Sequence, residues 1–180
     1  MAHTLLATRP ELLERVVIDG AGVLPWAGRL PFLAGIALIT PFLHTRPVIA
    51  MLSRSVGQIP QADQAEIRVA SRSAFFRSYR DALSLRLTRA ETNAKCPTLL
   101  VAGERETPVR QSNAVLAALM PCAEACYFPG AGHGWLGVDL ATHVGMVDAW
   151  LAARQLPESL EPETISWPRA TVERLLAAEK

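Results

Sequence analysis

The run Thr98-Leu99-Leu100-Val101-Ala102-Gly103 constrains this chain more than any other stretch. An unbroken apolar segment is a strand buried on both faces, and such strands belong to parallel sheets covered by helices. Cys96-Pro97 introduces it, Glu104 to Pro108 reads as the loop that follows, and Val109 to Met120 reads as a helix stopped before Pro121. Ala125 to Phe128 is a second short buried strand, and Leu136 to Leu151 a second amphipathic helix. Upstream, Val16-Val17-Ile18 is a β-branched run closed by Asp19-Gly20, hence another strand. Strand, helix, strand, helix is the alternation of an α/β fold with a parallel sheet, whose ligands bind at the carboxyl ends of the strands. Glu106 and His133 both follow such ends and are expected at one crevice.

His133 lies in Pro129-Gly130-Ala131-Gly132-His133-Gly134-Trp135, between the second strand and its helix. Glycine on either side permits backbone angles closed to other residues, so the chain can turn sharply while aiming one imidazole outward. With a pKa near ~6.5, an imidazole takes and returns protons at neutral pH. The same string also fits a plain glycine-rich turn with an incidental histidine, and the loop alone does not separate the two.

With 180 residues, 50% hydrophobic and 19% charged, the chain suits one globular domain with a sizeable core. A formal charge of +1 gives no general attraction to nucleic acid or anionic membrane, so partners are expected to be recognised by shape. Cys96, Cys122 and Cys126 lack the CxxC pairs of zinc and redox motifs and read as reduced core thiols of a cytoplasmic protein. Met1 to Thr8 has neither the basic flank nor the apolar length of a signal peptide. Val23 to Leu43 is apolar, but Arg29, Pro25, Pro31 and Pro41 interrupt the roughly 20 apolar residues that a membrane span needs. His3, His44 and His143 read as surface or core residues. No histidines group with carboxylates at ligand spacing, so neither metal nor organic cofactor is expected.

Four segments are expected. Residues 1–22 hold a helix end over Ala2 to Ala7, stopped at Arg9-Pro10, and the strand Val16 to Ile18. Residues 23–92 read as helices broken by prolines at 25, 31, 41, 47 and 60. Residues 93–156 carry the Glu106 and His133 loops. Residues 157–180 are a linker over Pro157 to Pro162 and a terminal helix, capped by Ser166 with Pro168 in its first turn and running to about Glu179. That helix has an apolar edge of Val172, Leu175 and Leu176, expected to dock back on the domain. In the helical segment, Trp26, Phe32, Phe42, Met51 and Phe75 read as core, or as the lining of an apolar substrate pocket under a lid. Its arginines Arg68, Arg72, Arg77, Arg80, Arg86 and Arg89 read as a solvated face, with an anionic substrate tail as the second reading. Ser53 and Ser55 precede Gly57 in an elbow-like string, but that string follows a helix where a nucleophile elbow must follow a strand.

The two loops in this order resemble the acid and base portion of the α/β-hydrolase family. Cys96 to Glu106 and Gly130 to Trp135 carry the likeness, and Val16 to Gly20 resembles the family strand before its helical cap. The likeness covers roughly Met1 to Pro157. It implies the C-terminal part of an α/β-hydrolase parallel sheet with a helical cap insertion. It also implies a triad in the chain order nucleophile, acid, histidine, with His133 as base and Glu106 as acid, where the family more often has aspartate. Asp19, at the end of the strand before the cap, is the alternative acid, and fits an Asp-Gly turn equally well. No Gly-x-Ser-x-Gly follows a strand, and the family's oxyanion loop is missing. Met1 to Ala7 resembles the helix after the nucleophile, so the chain is expected to be truncated before that residue. The implied function is hydrolysis of small apolar esters or thioesters, with the isolated chain inactive. The alternative is a catalytically inactive binding or assembly module. Partners are then a small apolar substrate, with no nucleic acid and no membrane span, and either a second copy or the missing N-terminal half along an exposed sheet edge.

Overall fold

The computed structural model describes residues 5–6, 8–20, 26–55, 69–83, 94–133 and 139–178. Three strands lie side by side in sequence order and run parallel: β1 (Val16–Asp19), β2 (Thr98–Gly103) and β3 (Ala123–Phe128). Every residue of the central β2 is buried, as its unbroken apolar sequence requires. Thr98 pairs with Val16 on one side and with Ala123 on the other, so the carboxyl ends of all three strands emerge at one end of the sheet. Helices α1 (Trp26–Ile39), α2 (Arg46–Ser55) and α3 (Arg72–Leu83) are inserted between β1 and β2. After β2 the chain forms α4 (Thr107–Leu119), and after β3 it forms α5 (Leu140–Leu151).

The sheet is covered on both faces. Val16, Ile18 and Leu100 point to the side where Leu116 and Met120, from α4 and its end, are buried with Leu6. Leu99, Val101 and Cys126 point to the other side, against Met146 and Trp150 of α5. The alternation along β2 thus feeds two separate cores, and the side-chain period of two is what assigns each residue to its face. Asp139 caps α5, its Oδ1 accepting from the Thr142 N–H at 3.0 Å.

Several expectations need correction. Pro157 to Pro162 is not a plain linker: Glu161–Pro162 forms a fourth strand, β4, antiparallel to β3 at the far edge of the sheet. Glu163 extends the pairing, its N–H donating to the Ala125 carbonyl at 2.9 Å. The terminal helix α6 (Arg169–Ala178) starts just after Pro168 and, as expected, docks on α4, with Val172 buried against Val115 and Leu119. The Leu175 and Leu176 side chains lie outside the described residues. Pro31 does not break a helix but sits inside α1, in its second turn, where it removes one intrahelical hydrogen bond. Cys122 is exposed, so only Cys96 and Cys126 are core thiols. Burial pushes the Cys126 thiol up to about 12.

The inserted helices divide their large apolar residues. Phe32 and Phe75 pack with Tyr79, whereas Phe42 and Met51 remain exposed. Arg72, Arg77 and Arg80 lie on the exposed side of α3, while Arg68, Arg86 and Arg89 fall outside the described residues. Among the described residues, no helix is long and apolar enough to cross a membrane.

Candidate active site

The end of β2 delivers a carboxylate by turning tightly on itself. The Glu106 N–H donates to the Gly103 carbonyl at 3.0 Å, and the Gly103 N–H donates to Glu106 Oε2 at 2.7 Å. The side chain therefore folds back over the strand from which it came. It is 5% exposed, and burying a carboxylate is costly unless both oxygens find donors. The second donor is His133: its Nδ1–H donates to Glu106 Oε1. A carboxylate can only accept, so Nδ1 carries the proton and the neutral ring keeps its lone pair at Nε2.

The His133 loop is held against the β2 loop by two main-chain bonds and one from a main-chain N–H to a side chain. Glu104 N–H donates to Phe128 O at 3.0 Å, Arg105 N–H to Ala131 O at 2.9 Å, and the Gly130 N–H to Glu104 Oε2 at 2.6 Å. The approach is close enough that a Cβ at Gly103 would meet the Ala131 and Gly132 carbonyl oxygens at 2.7 Å. Gly130 takes φ +70°, the left-handed region that glycine enters freely. Gly20, at φ +77°, runs beneath the imidazole; a Cβ there would lie 3.5 Å from His133 Cε1.

His133 is exposed while its partner is buried, an arrangement in which one ring edge is anchored and the other is presented. The hydrogen bond to Glu106 raises the imidazole pKa above its ordinary 6.5, burial opposes that rise, and the charges of Glu106 and Asp19 add to it. The geometry thus brings Glu106 and His133 together. Asp19, the alternative acid, is placed beside a different histidine, with His143 Nε2 3.3 Å from its Oδ2. That contact has no signature in the sequence, because His143 lies on α5 and meets β1 only through the tertiary fold. His44, on the inserted segment, has Nε2 2.9 Å from the Ala70 carbonyl, and His3 falls outside the described residues. Ser53 and Ser55 lie on α2, and Gly57 falls outside the described residues. Among the described residues, no three His, Cys, Asp or Glu side chains are grouped to hold a metal ion.

No protein-family model matches the sequence, and neither does any curated protein. Solved structures do match. MGS-M2, an α/β hydrolase enzyme from a Medee basin deep-sea metagenome library, is 14% identical with a TM-score of 0.69, over 87% of this chain and 62% of that one. MenH from S. aureus is 18% identical with a TM-score of 0.62, over 84% and 64%. Rv0554 from Mycobacterium tuberculosis is 19% identical with a TM-score of 0.59, over 86% and 62%. The chain therefore spans less than two thirds of the length of each. Similarity at this level of identity is one of fold, and the chain has the α/β-hydrolase fold over the part it spans.

Proposed function

We propose that this chain carries the acid and base of a hydrolase triad, with His133 as general base, Glu106 as the acid that orients it, and the nucleophile supplied by a segment outside these residues. The bond from His133 Nδ1–H to buried Glu106 supports the reading most, because it leaves Nε2 as the free proton acceptor. In the reaction, Nε2 takes the proton of an attacking hydroxyl or thiol and returns it to the leaving group. Glu106 stabilises the imidazolium that exists between the two transfers. The substrate is a small apolar ester or thioester. Residues 23–92 act as the cap over the site, and the unpaired thiols of Cys96 and Cys126 agree with a cytoplasmic location.

An assembly role has its own support. Among the described residues β1 pairs only with β2, so its outer edge is open to another strand. Hydrolysis of p-nitrophenyl butyrate separates the two readings. The 180 residues alone are expected to give background rates. The same residues joined to a strand and a Gly-x-Ser-x-Gly turn are expected to give saturable turnover that His133→Ala abolishes. Turnover indifferent to His133→Ala contradicts the proposed base.

A further inference from the structure

The turn from Gly103 to Glu106, which delivers the acid, is closed by the bond from Glu106 N–H to the Gly103 carbonyl at 3.0 Å. β-Turns differ chiefly in the orientation of the peptide unit between their two central residues, so closing the turn does not by itself fix that unit. Here the unit joins Glu104 to Arg105 and is bonded at both ends. Its N–H, that of Arg105, donates to the Ala131 carbonyl at 2.9 Å, and its carbonyl, that of Glu104, accepts from Arg110 Nη1 at 3.2 Å. The N–H and C=O of a trans peptide point opposite ways, so Arg110 holds one side of the unit while the His133 loop takes the other. Apart from the Glu106–His133 bond itself, the Arg105 bond is the tie between the two loops that lies nearest the imidazole, two residues before it. The ties made by Glu104 reach Phe128 and Gly130, further back.

Arg110 is itself held in place. Its main-chain N–H donates to the Glu106 carbonyl at 2.9 Å, and its Nε and Nη2 donate to the Glu163 carboxylate at 2.9 and 2.6 Å. Nη2 also donates to the Thr164 hydroxyl at 3.2 Å, and the guanidinium stacks over Tyr127 at 4.1 Å. A rigid planar fork fixed in this way aims Nη1 at one acceptor while its other nitrogens hold a carboxylate. We propose that Arg110 is a positioning residue for the Glu106–His133 pair: anchored by Glu163 and Thr164 of the C-terminal segment, it fixes the peptide unit whose N–H holds the His133 loop. This role presupposes the triad reading, and it makes residues beyond Pro157 part of what the site requires.

Arg110→Lys separates positioning from folding, because an ammonium keeps a positive charge beside Glu163 but lacks the fork that also holds the Glu104 carbonyl. Two NMR signals of the 180-residue chain report the outcome: hydrogen exchange of the Arg105 amide and titration of the His133 ring. Arg110→Lys is expected to speed Arg105 exchange at least tenfold and to lower the His133 pKa toward its value in Glu106→Gln. Val172→Ala, which loosens α6 on α4 at Val115 and Leu119, is expected to lower Tm and leave both signals at their parent values. Parent values in Arg110→Lys, or equal shifts in Val172→Ala, overturn the proposal and leave the triad reading standing. A parent ring whose neutral form is protonated on Nε2 overturns both. Should Arg110→Lys fail to fold, Glu163→Gln loosens Arg110 from its other side and is expected to move both signals the same way by a smaller amount; unchanged signals there overturn the proposal.

Discussion

A methyl group at Gly103 has no room, because two carbonyl oxygens of the His133 loop already stand 2.7 Å from where it would go. Both belong to backbone that carries the imidazole, so the clash cannot be relieved by rotating a side chain. Gly103→Ala is expected to destabilise the protein by about 1–3 kcal/mol, and an unchanged denaturant midpoint contradicts the close approach. The raised pKa of His133 sets the sign of two further effects. A general base works only when neutral, so in a version that turns over, kcat/KM is expected to fall with acid around a midpoint above the ordinary 6.5. Stability runs the other way: the contribution of the Glu106 pair is complete below 6.5 and is lost as pH rises through the raised value. His133→Ala is therefore expected to lower Tm more at pH 6 than at pH 9, and an equal or reversed difference contradicts the pairing. In that same version Glu106→Gln is expected to cut kcat by roughly 10³ to 10⁴-fold, and Asp19→Asn much less; the reverse order makes Asp19 the acid. Both loop residues were legible in the sequence because each follows an apolar run and a glycine. The contact between Asp19 and His143 was not, since it depends on how α5 crosses the end of β1.

Among the elements, β2 and β3 were visible as apolar runs, whereas β4 was hidden. A two-residue strand made of a glutamate and a proline has no apolar pattern, and proline is tolerated there only because the strand is at an edge. What holds it is a polar clamp from α4. Arg110 donates through Nε and Nη2 to Glu163 at 2.9 and 2.6 Å and stacks over Tyr127 at 4.1 Å, while the Tyr127 hydroxyl donates to Glu161 at 2.5 Å. Both members of the ion pair are largely buried, with side chains 12% and 3% exposed. Burial pushes the Glu163 carboxyl up, but the bonds from Arg110 and the Ile165 N–H outweigh it and leave the pKa below its ordinary 4.5. Glu163→Ala is expected to cost about 1.5–3 kcal/mol, because it removes charge-assisted bonds from a part-buried guanidinium that keeps the Glu104 carbonyl and the Thr164 hydroxyl. The clamp's own contribution is present above pH 4.5 and is lost as pH falls through the lowered value. A Glu163→Ala variant as stable as the parent at pH 7 in urea unfolding rules out this role for the clamp.

For the whole molecule, the side of β1 that has no strand neighbour among the described residues matters most. Val16 to Asp19 carries no proline or lysine to discourage a neighbouring strand, and exposed apolar side chains such as Leu12 lie near it in the chain. The chain at micromolar concentration is therefore expected to scatter light as a dimer or larger species, and a monodisperse 19.5 kDa monomer contradicts that expectation. Because these residues alone are expected to give no turnover, the most direct test of the site is its assembly rather than its rate. Histidine side-chain NMR of the 180-residue chain, titrated from acid to base, reads both the pKa of His133 and its neutral tautomer. The proton is expected on Nδ1, with a pKa above 6.5 that falls in Glu106→Gln and stays close to the parent value in Asp19→Asn. A neutral ring protonated on Nε2, or a pKa indifferent to Glu106→Gln, contradicts the pairing on which the proposed function rests.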